Sequence, residues 1–388
     1  MKNKNLVFYF FGIRISAKAR WLYKIRQHVF YERYIQYIRN IRDGGCKNKK
    51  LLFISHNITL TGAPLTVFST AKRLHSLGYE TLVIGLGEGP LLDMYRKEKM
   101  TAIHCARFNA ADEDFMHTLR SFDFIFASTL LTYDIVEKIY GLKPCIWRIS
   151  EGTSLISANL TKYHRALRNA PELYAVSEYT RTLLKPYNTN TKLLIYGVPD
   201  KSETYLKYYD RTSKFKRIKI CVIGNYSKRK AQDLIIRAYR DLRKDIADKI
   251  EIFFIGSNFR GRKSGGHLHF LGEMITGNKY KILAGCDTLF CPSLDDPNPQ
   301  VVMEAMMLKK PCVISENVGQ KDYITDGING FIIKTGDVGA IKSVMEKLVE
   351  NPAIIDGMSE KSYALYKKHF NFEDYINRVI TVIKEKTI

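Results

Sequence analysis

No stretch of the 388 residues approaches the ~20 consecutive apolar positions of a membrane-spanning helix. The apolar run from Leu6 to Ile13 is closed by Arg14 after eight residues. Lys2 and Lys4 precede it and Ala17-Lys18-Ala19 follows it. The charges at Arg14 and Lys18 fall where a cleavage region is neutral, so no signal peptide is expected. None of the seven cysteines forms a CxxC pair, and no histidines cluster beside them at metal spacing. Scattered through apolar runs, they are expected to be reduced core residues of a cytosolic protein. Acidic residues are also scarce, 39 against 61 basic ones, for a net charge of +22. The shortage is concentrated: residues 1–50 hold 13 Lys and Arg against only Glu32 and Asp43. Such a segment attracts polyanions, either anionic lipid or nucleic acid.

What is present is the composition of a soluble globular chain, 45% hydrophobic and 26% charged, long enough for two similar domains. Residues 1–47 form a basic, aromatic extension. Within it Leu22, Ile25 and Val29, then Tyr34, Ile38 and Ile41, recur at helical spacing over residues 17–42. That pattern fits a helix packed on the main body, and equally one lying on an anionic membrane with Trp21 at headgroup depth. From Leu51 the pattern becomes regular. Strand-like runs at 51–55, 80–85, 101–104, 123–127, 145–149, 172–176 and 192–195 alternate with helical stretches. The rhythm breaks over the polar residues 197–216, which read as a linker. It resumes at 217–223, 251–255, 267–270, 287–291, 311–314 and 331–333. Alternation of this kind predicts right-handed βαβ units and parallel sheets covered on both faces. The expected architecture is therefore α/β: two Rossmann-like parallel-sheet domains, 48–200 and 201–370, facing across a cleft. Residues 371–388 read as a C-terminal helix with Phe372, Tyr375, Val379 and Val382 on its apolar side, able to pack back across the linker.

Open parallel sheets bind ligands at the carboxyl ends of their strands. The first such turn, His56 to Pro64, carries Gly62 ahead of a helix expected from about Pro64 to Leu77, and helix amides bind phosphate. A glycine before a proline is also plain turn chemistry. The matching turn of the second domain, Gly224 to Lys230, sets Lys228, Arg229 and Lys230 just before a helix. Cations there oppose the helix dipole unless an anion joins them, and a diphosphate would do so. Residues 295–311 then place Asp295, Asp296 and two prolines before a helix from about Gln300 to Leu308, apolar on nearly every face except at Glu304. A buried carboxylate is costly unless hydrogen-bonded. A ribose with two hydroxyls would satisfy Glu304, as would a structural bond to a neighbouring loop. The amides of Val301 and Val302 near the helix start are expected to be free for a phosphate or sugar oxygen.

The ordered set resembles the GT-B glycosyltransferases, specifically the retaining family 4. The acid-x7-acid motif of that family is matched by Asp296 to Glu304, continuing as Glu304-Ala305-Met306 and Pro311. Further matches are Gly62-Ala63-Pro64, Val176-Ser177-Glu178, Tyr196 to Pro199, Arg229 to Asp233 (RKAQD beside the family's RKGQD), Phe270 to Gly272, and Asp326 to Phe331. The resemblance spans about residues 50 to 385 and leaves residues 1–47 outside. It implies a catalytic set of Glu151, Arg229, Lys230 and Asp296. In it Lys230 with Arg229 neutralises the departing diphosphate, Asp296 holds the transferred sugar, and Glu151 touches the acceptor or the reacting sugar, a helix N-cap role being its rival reading. It implies donor contacts from Gly62, Ala63, Asn225, Gly272, Glu273, Met274, Asn298, Val301, Val302 and Glu304, with residues 272–274 against the base. Three departures stand out: the first acid is Asp, Pro297-Asn298-Pro299 replaces a small Gly-containing segment, and Asn225 stands where many members carry Arg.

The expected function is thus retaining transfer of a sugar from a UDP- or GDP-linked donor to a saccharide or lipid-linked saccharide acceptor, with no metal and no other cofactor required. The basic extension points to an anionic membrane surface, and so to a peripheral place at the inner face of the cell membrane and a cell-envelope glycan. No specific nucleic acid partner is expected. A nucleotide-sugar epimerase or hydrolase of the same architecture is the rival reading. A non-enzymatic nucleic-acid-binding protein, supported by charge only, is a further one.

Overall fold

The computed structural model describes residues 49–105, 119–156, 160–209, 217–259, 261, 264–274 and 276–387; for residues 7–10, 13–16, 160–162 and 276 it describes the backbone only. Val7–Phe10 and Ile13–Ser16 pair as a short antiparallel ribbon. The helical reading of residues 17–42 lies outside the described residues.

The first domain is a seven-stranded parallel sheet. Its spatial order is Thr101–His104, Glu80–Gly85, Lys50–Ser55, Phe124–Ser128, Cys145–Ile149, Leu173–Ala175 and Thr191–Leu193. The second is a six-stranded parallel sheet, ordered Leu268–Phe270, Ile250–Ile255, Ile218–Ile223, Thr288–Cys291, Cys312–Ser315 and Gly330–Ile333. Every strand read from the sequence is present to within about two residues at each end. The central ones are buried on both faces, which is why they read as unbroken apolar runs. In the first sheet Leu51 and Phe53 face one core while Leu52 and Ile54 face the other, as the two-residue period of a strand requires.

Residues 197–209 are more than a linker. Val198 bridges Asn371, and its amide donates to the Phe370 carbonyl (2.9 Å). A Cβ on Gly197 would come within 2.3 Å of the Asn371 carbonyl oxygen, so only glycine fits this crossing. Tyr205 packs its ring on Tyr280 (5.2 Å between centroids), and the Tyr209 hydroxyl donates to Asp287 (2.9 Å). The segment's polar sequence hides these aromatic anchors, which fix it to the second domain; residues 210–216 lie outside the described residues.

The C-terminal helix, Phe372–Lys386, is capped by Asn371, whose side chain accepts from the Glu373 and Asp374 amides. It buries Phe372, Tyr375, Ile376, Val379 and Ile383 and crosses back onto the first domain. There Tyr375 meets Thr70 (3.1 Å), Glu373 pairs with Arg73 (2.8 Å), and Arg378 donates to the Ile195 carbonyl (3.0 Å).

Candidate functional site

The carboxyl ends of the two sheets face each other across a cleft of about 550 Å³. Leu60 to Ala63, Arg148 and Ser150 to Gly152 line it from the first domain. Gly224, Asn225, Arg229, Lys230, Lys279, Asp295 to Val301 and Glu304 line it from the second.

On the first side the helix spans Gly62–Ser76, so its first turn starts at the cleft. The Leu65 amide is the first to return a bond, to the Thr61 carbonyl. Those of Gly62 and Ala63 belong to the unreturned first turn, and Pro64 has none. A Cβ on Gly62 would meet nothing within 4 Å, so its bareness serves the open cleft rather than the protein's own packing. Glu151 is half-buried behind the strand Cys145–Ile149 and accepts from the Ser150 amide (2.9 Å). Burial pushes its carboxyl up to about 7, against the opposing pull of backbone amides and of the Arg148 charge.

The second side is organised by two ion pairs. Lys230 pairs with Asp296, which is 7% exposed, and Arg229 approaches the other Asp296 oxygen at 3.5 Å. Burial would raise the Asp296 carboxyl, but the charges of Lys230 and Arg229 outweigh it and hold the group below its ordinary value. The turn that carries these cations is locked by Gln232, which donates to the carbonyls of Gly224 (3.1 Å) and Asn225 (3.2 Å). Ala231 sits at φ +52°, where the family pattern has glycine and where a Cβ is strained.

Glu304, 5% exposed on the helix Gln300–Met307, is the second anchor. Lys279 Nζ donates to both of its oxygens (2.8 and 2.7 Å) and the Tyr280 hydroxyl to one (2.8 Å). Its burial is therefore balanced within the protein, by a lysine and a tyrosine from the helix Thr276–Gly285.

Ten of the fourteen residues expected at the site line the cleft together: Glu151, Arg229, Lys230, Asp296, Gly62, Ala63, Asn225, Asn298, Val301 and Glu304. Asn225 and Asn298 are also engaged within the protein, Asn225 accepting from the Ser257 amide (3.3 Å) and Asn298 from Gln320 (2.8 Å). Val302 departs from the expectation. Its side chain is buried and its amide donates to the Pro299 carbonyl (3.2 Å), which leaves that amide unavailable to a ligand. Gly272, Glu273 and Met274 are not in the cleft lining. The Gly272 carbonyl accepts from the Gly256 amide (2.9 Å).

Three contributors escaped the sequence reading. Lys279 looks like one more solvated lysine on a polar helix. Asp295 crosses the cleft, accepting from the Ser154 amide (2.8 Å) and the Tyr179 hydroxyl (2.9 Å), and spacing gives no hint of such a pair. Gln300 also crosses, donating to the Gly62 carbonyl (3.0 Å) and to Thr66 (2.9 Å).

Comparison with known proteins bears on the fold that frames this site. Residues 209–368 match the family described as Glycosyl transferases group 1, and residues 47–161 the one described as Glycosyl-transferase family 4. An uncharacterized glycosyltransferase of Methanocaldococcus jannaschii is 28% identical over 170 residues, 41% of this chain and 43% of that protein. A second from the same organism is 24% identical over 254 residues, 62% of this chain and 68% of its own length. The chain thus spans less than half the length of the first of these relatives. Among solved structures, Anabaena HepE in complex with UDP superposes with a TM-score of 0.74 at 16% identity, covering 87% of this chain and 100% of that one. At that identity the likeness is one of fold.

Proposed function

The chain belongs to the group 1 glycosyltransferases and has their two-domain GT-B fold, and on that premise we propose that it transfers a sugar, with retention, from a nucleotide-diphospho-sugar to a saccharide hydroxyl. One observation carries this reading: a single cleft holds the helix start at Gly62, the Lys230–Asp296 pair with Arg229 beside it, and buried Glu304. The donor diphosphate lies against Lys230 and Arg229, taking up the cations that Asp296 now holds. Asp296, released, accepts hydroxyls of the transferred sugar, while Glu304 accepts from the ribose. As the bond to the sugar breaks, negative charge grows on the diphosphate, where these cations and the Gly62 helix start stabilise it. The acceptor hydroxyl approaches from the Glu151 side and attacks the face that the diphosphate leaves, its proton passing to an oxygen of the departing diphosphate. The cations supply this charge without a metal ion.

Anabaena HepE has been solved with UDP and with UDP-glucose, which supports a UDP-linked donor. The basic, aromatic residues 1–47 support an acceptor at an anionic membrane surface, a lipid-linked or envelope saccharide handled at the inner face of the cell membrane. The test is a thermal-shift screen against UDP, GDP, ADP and their sugars, followed by proton NMR of the product. A stabilising nucleotide-sugar and a product of unchanged anomeric configuration are expected. Turnover of donor at an undiminished rate without any acceptor would overturn the transfer reading in favour of hydrolysis or epimerisation.

A further inference from the structure

Neither the donor contacts nor Glu151 account for Arg148. Arg148 is among the residues that line the cleft, from the strand Cys145–Ile149, yet it is 2% exposed. Its Nε and Nη1, which carry three of the five N–H groups of a guanidinium, have no hydrogen-bond partner. The Tyr375 hydroxyl lies against the group. Among the described residues no carboxylate forms an ion pair with it, although Glu151 follows three positions later. Ser128, its register partner on the adjacent strand and so on the same face of the sheet, also has a buried hydroxyl with no partner. A permanently charged group withdrawn from water without a counter-ion is destabilising until an anion joins it. The other buried side-chain charges described in this cleft have partners within the protein: Lys230 with Asp296, Lys279 with Glu304, and Asp295 with the Ser154 amide and the Tyr179 hydroxyl.

We propose that Arg148, with Ser128 beside it, is the receptor for an anionic group, a carboxylate or a phosphate, on the acceptor saccharide. It thereby sets acceptor specificity. This rests on the transferase reading for the word acceptor, but the anion receptor itself does not. The opposite wall supplies the cations for the donor diphosphate, whereas Arg148 shares the first-domain wall with Ser150, Glu151 and Tyr196. A guanidinium offers planar, multiple donors to a carboxylate or phosphate and cannot be neutralised at working pH.

The experiment is calorimetric titration of the full chain with glucuronate, glucose 6-phosphate and glucose, each with and without saturating UDP. Wild type is expected to bind one or both anionic sugars and to bind glucose at least about tenfold more weakly, the worth of a charge-assisted hydrogen bond. Glucuronate and glucose 6-phosphate separate a carboxylate from a phosphate as the natural group. Arg148→Gln should lose this preference with UDP affinity unchanged, Arg148→Lys should keep part of it, and Ser128→Ala should weaken it a few-fold without altering the melting temperature. Equal anion binding by wild type and Arg148→Gln overturns the proposal. So does loss of UDP affinity in Arg148→Gln, because the residue then serves the donor, and so does failure of wild type to prefer the anionic sugars. If UDP does not bind but the Arg148-dependent preference remains, the nucleotide-sugar reading fails and the receptor stands.

Discussion

The two walls of the cleft treat charge in opposite ways. On the second domain, Lys230 and Arg229 meet Asp296, and Lys279 and Tyr280 meet Glu304, so the wall is close to neutral before any ligand arrives. On the first, Glu151 is driven toward its neutral form by burial and Arg148 keeps unused donors. The difference teaches how each wall gains a ligand. On the proposed reading, a donor would exchange one partner for another on the second wall, so its net gain would be moderate and its geometry exacting. An acceptor would, on the same reading, complete groups that the first wall leaves unmatched.

Removing a cation from the paired wall is the harshest way to break this contrast. Lys230→Ala is expected to lower transfer by about 10²- to 10³-fold, the range for losing a group aimed at developing charge. It should also destabilise the fold, since Asp296 is left buried and unpaired. Adding Asp296→Asn should restore the melting temperature and leave transfer low. If the double variant regains transfer, the pair is structural only. Next in size is Glu304→Gln, which should weaken nucleotide binding by about tenfold or more, measured by titration with UDP. An unchanged affinity would mean that Lys279 and Tyr280 are the only partners Glu304 has.

Glu151→Gln tests the unpaired wall and should cost about tenfold in kcat/KM for the acceptor. Wild-type activity should rise with pH through about 7, as the carboxyl ionises and can accept from the acceptor hydroxyl, and the variant should lack that inflection. Stability carries the opposite sign. The folded pKa of about 7 exceeds the ordinary value of 4.5, so the folded chain holds a proton that the unfolded chain has released between them. Stability is therefore lost as pH rises through that window, and Gln should flatten the slope in melts taken from pH 4.5 to 7. The smallest effect is expected from Asp295→Ala, which removes the contact joining the walls through Ser154 and Tyr179. Donor affinity should hold, while hydrolysis of donor by water rises a few-fold as closure loosens.

Much of the fold was legible because a strand buried on both faces writes its burial as a continuous apolar run, as in Leu51 to Ile54 and Phe124 to Ala127, and the regular alternation of such short runs with helical stretches marks them as strands. Glu304 was legible for the converse reason, as a charge inside such a run. What balances it was not. Lys279 is separated from Glu304 by a strand and a loop, and its local sequence is that of an ordinary polar helix. Arg148 sits in a run otherwise as apolar as its neighbours, and a charge in that setting was the same signal that exposed Glu304. The free amide expected at Val302 failed for a local reason: Pro299 ends its loop in a conformation that turns its carbonyl onto that amide.

The chain passes between the domains twice, at Val198 and at Asn371, and the two passes are bonded side by side. A body joined to another by one thread can swivel freely. Two adjacent threads act as the pins of a door: the halves can swing apart about one line, but twisting one against the other strains both pins. A swing about that line would make and break the Asp295–Ser154 and Gln300–Gly62 contacts together. Cutting either thread would turn the door back into a swivel.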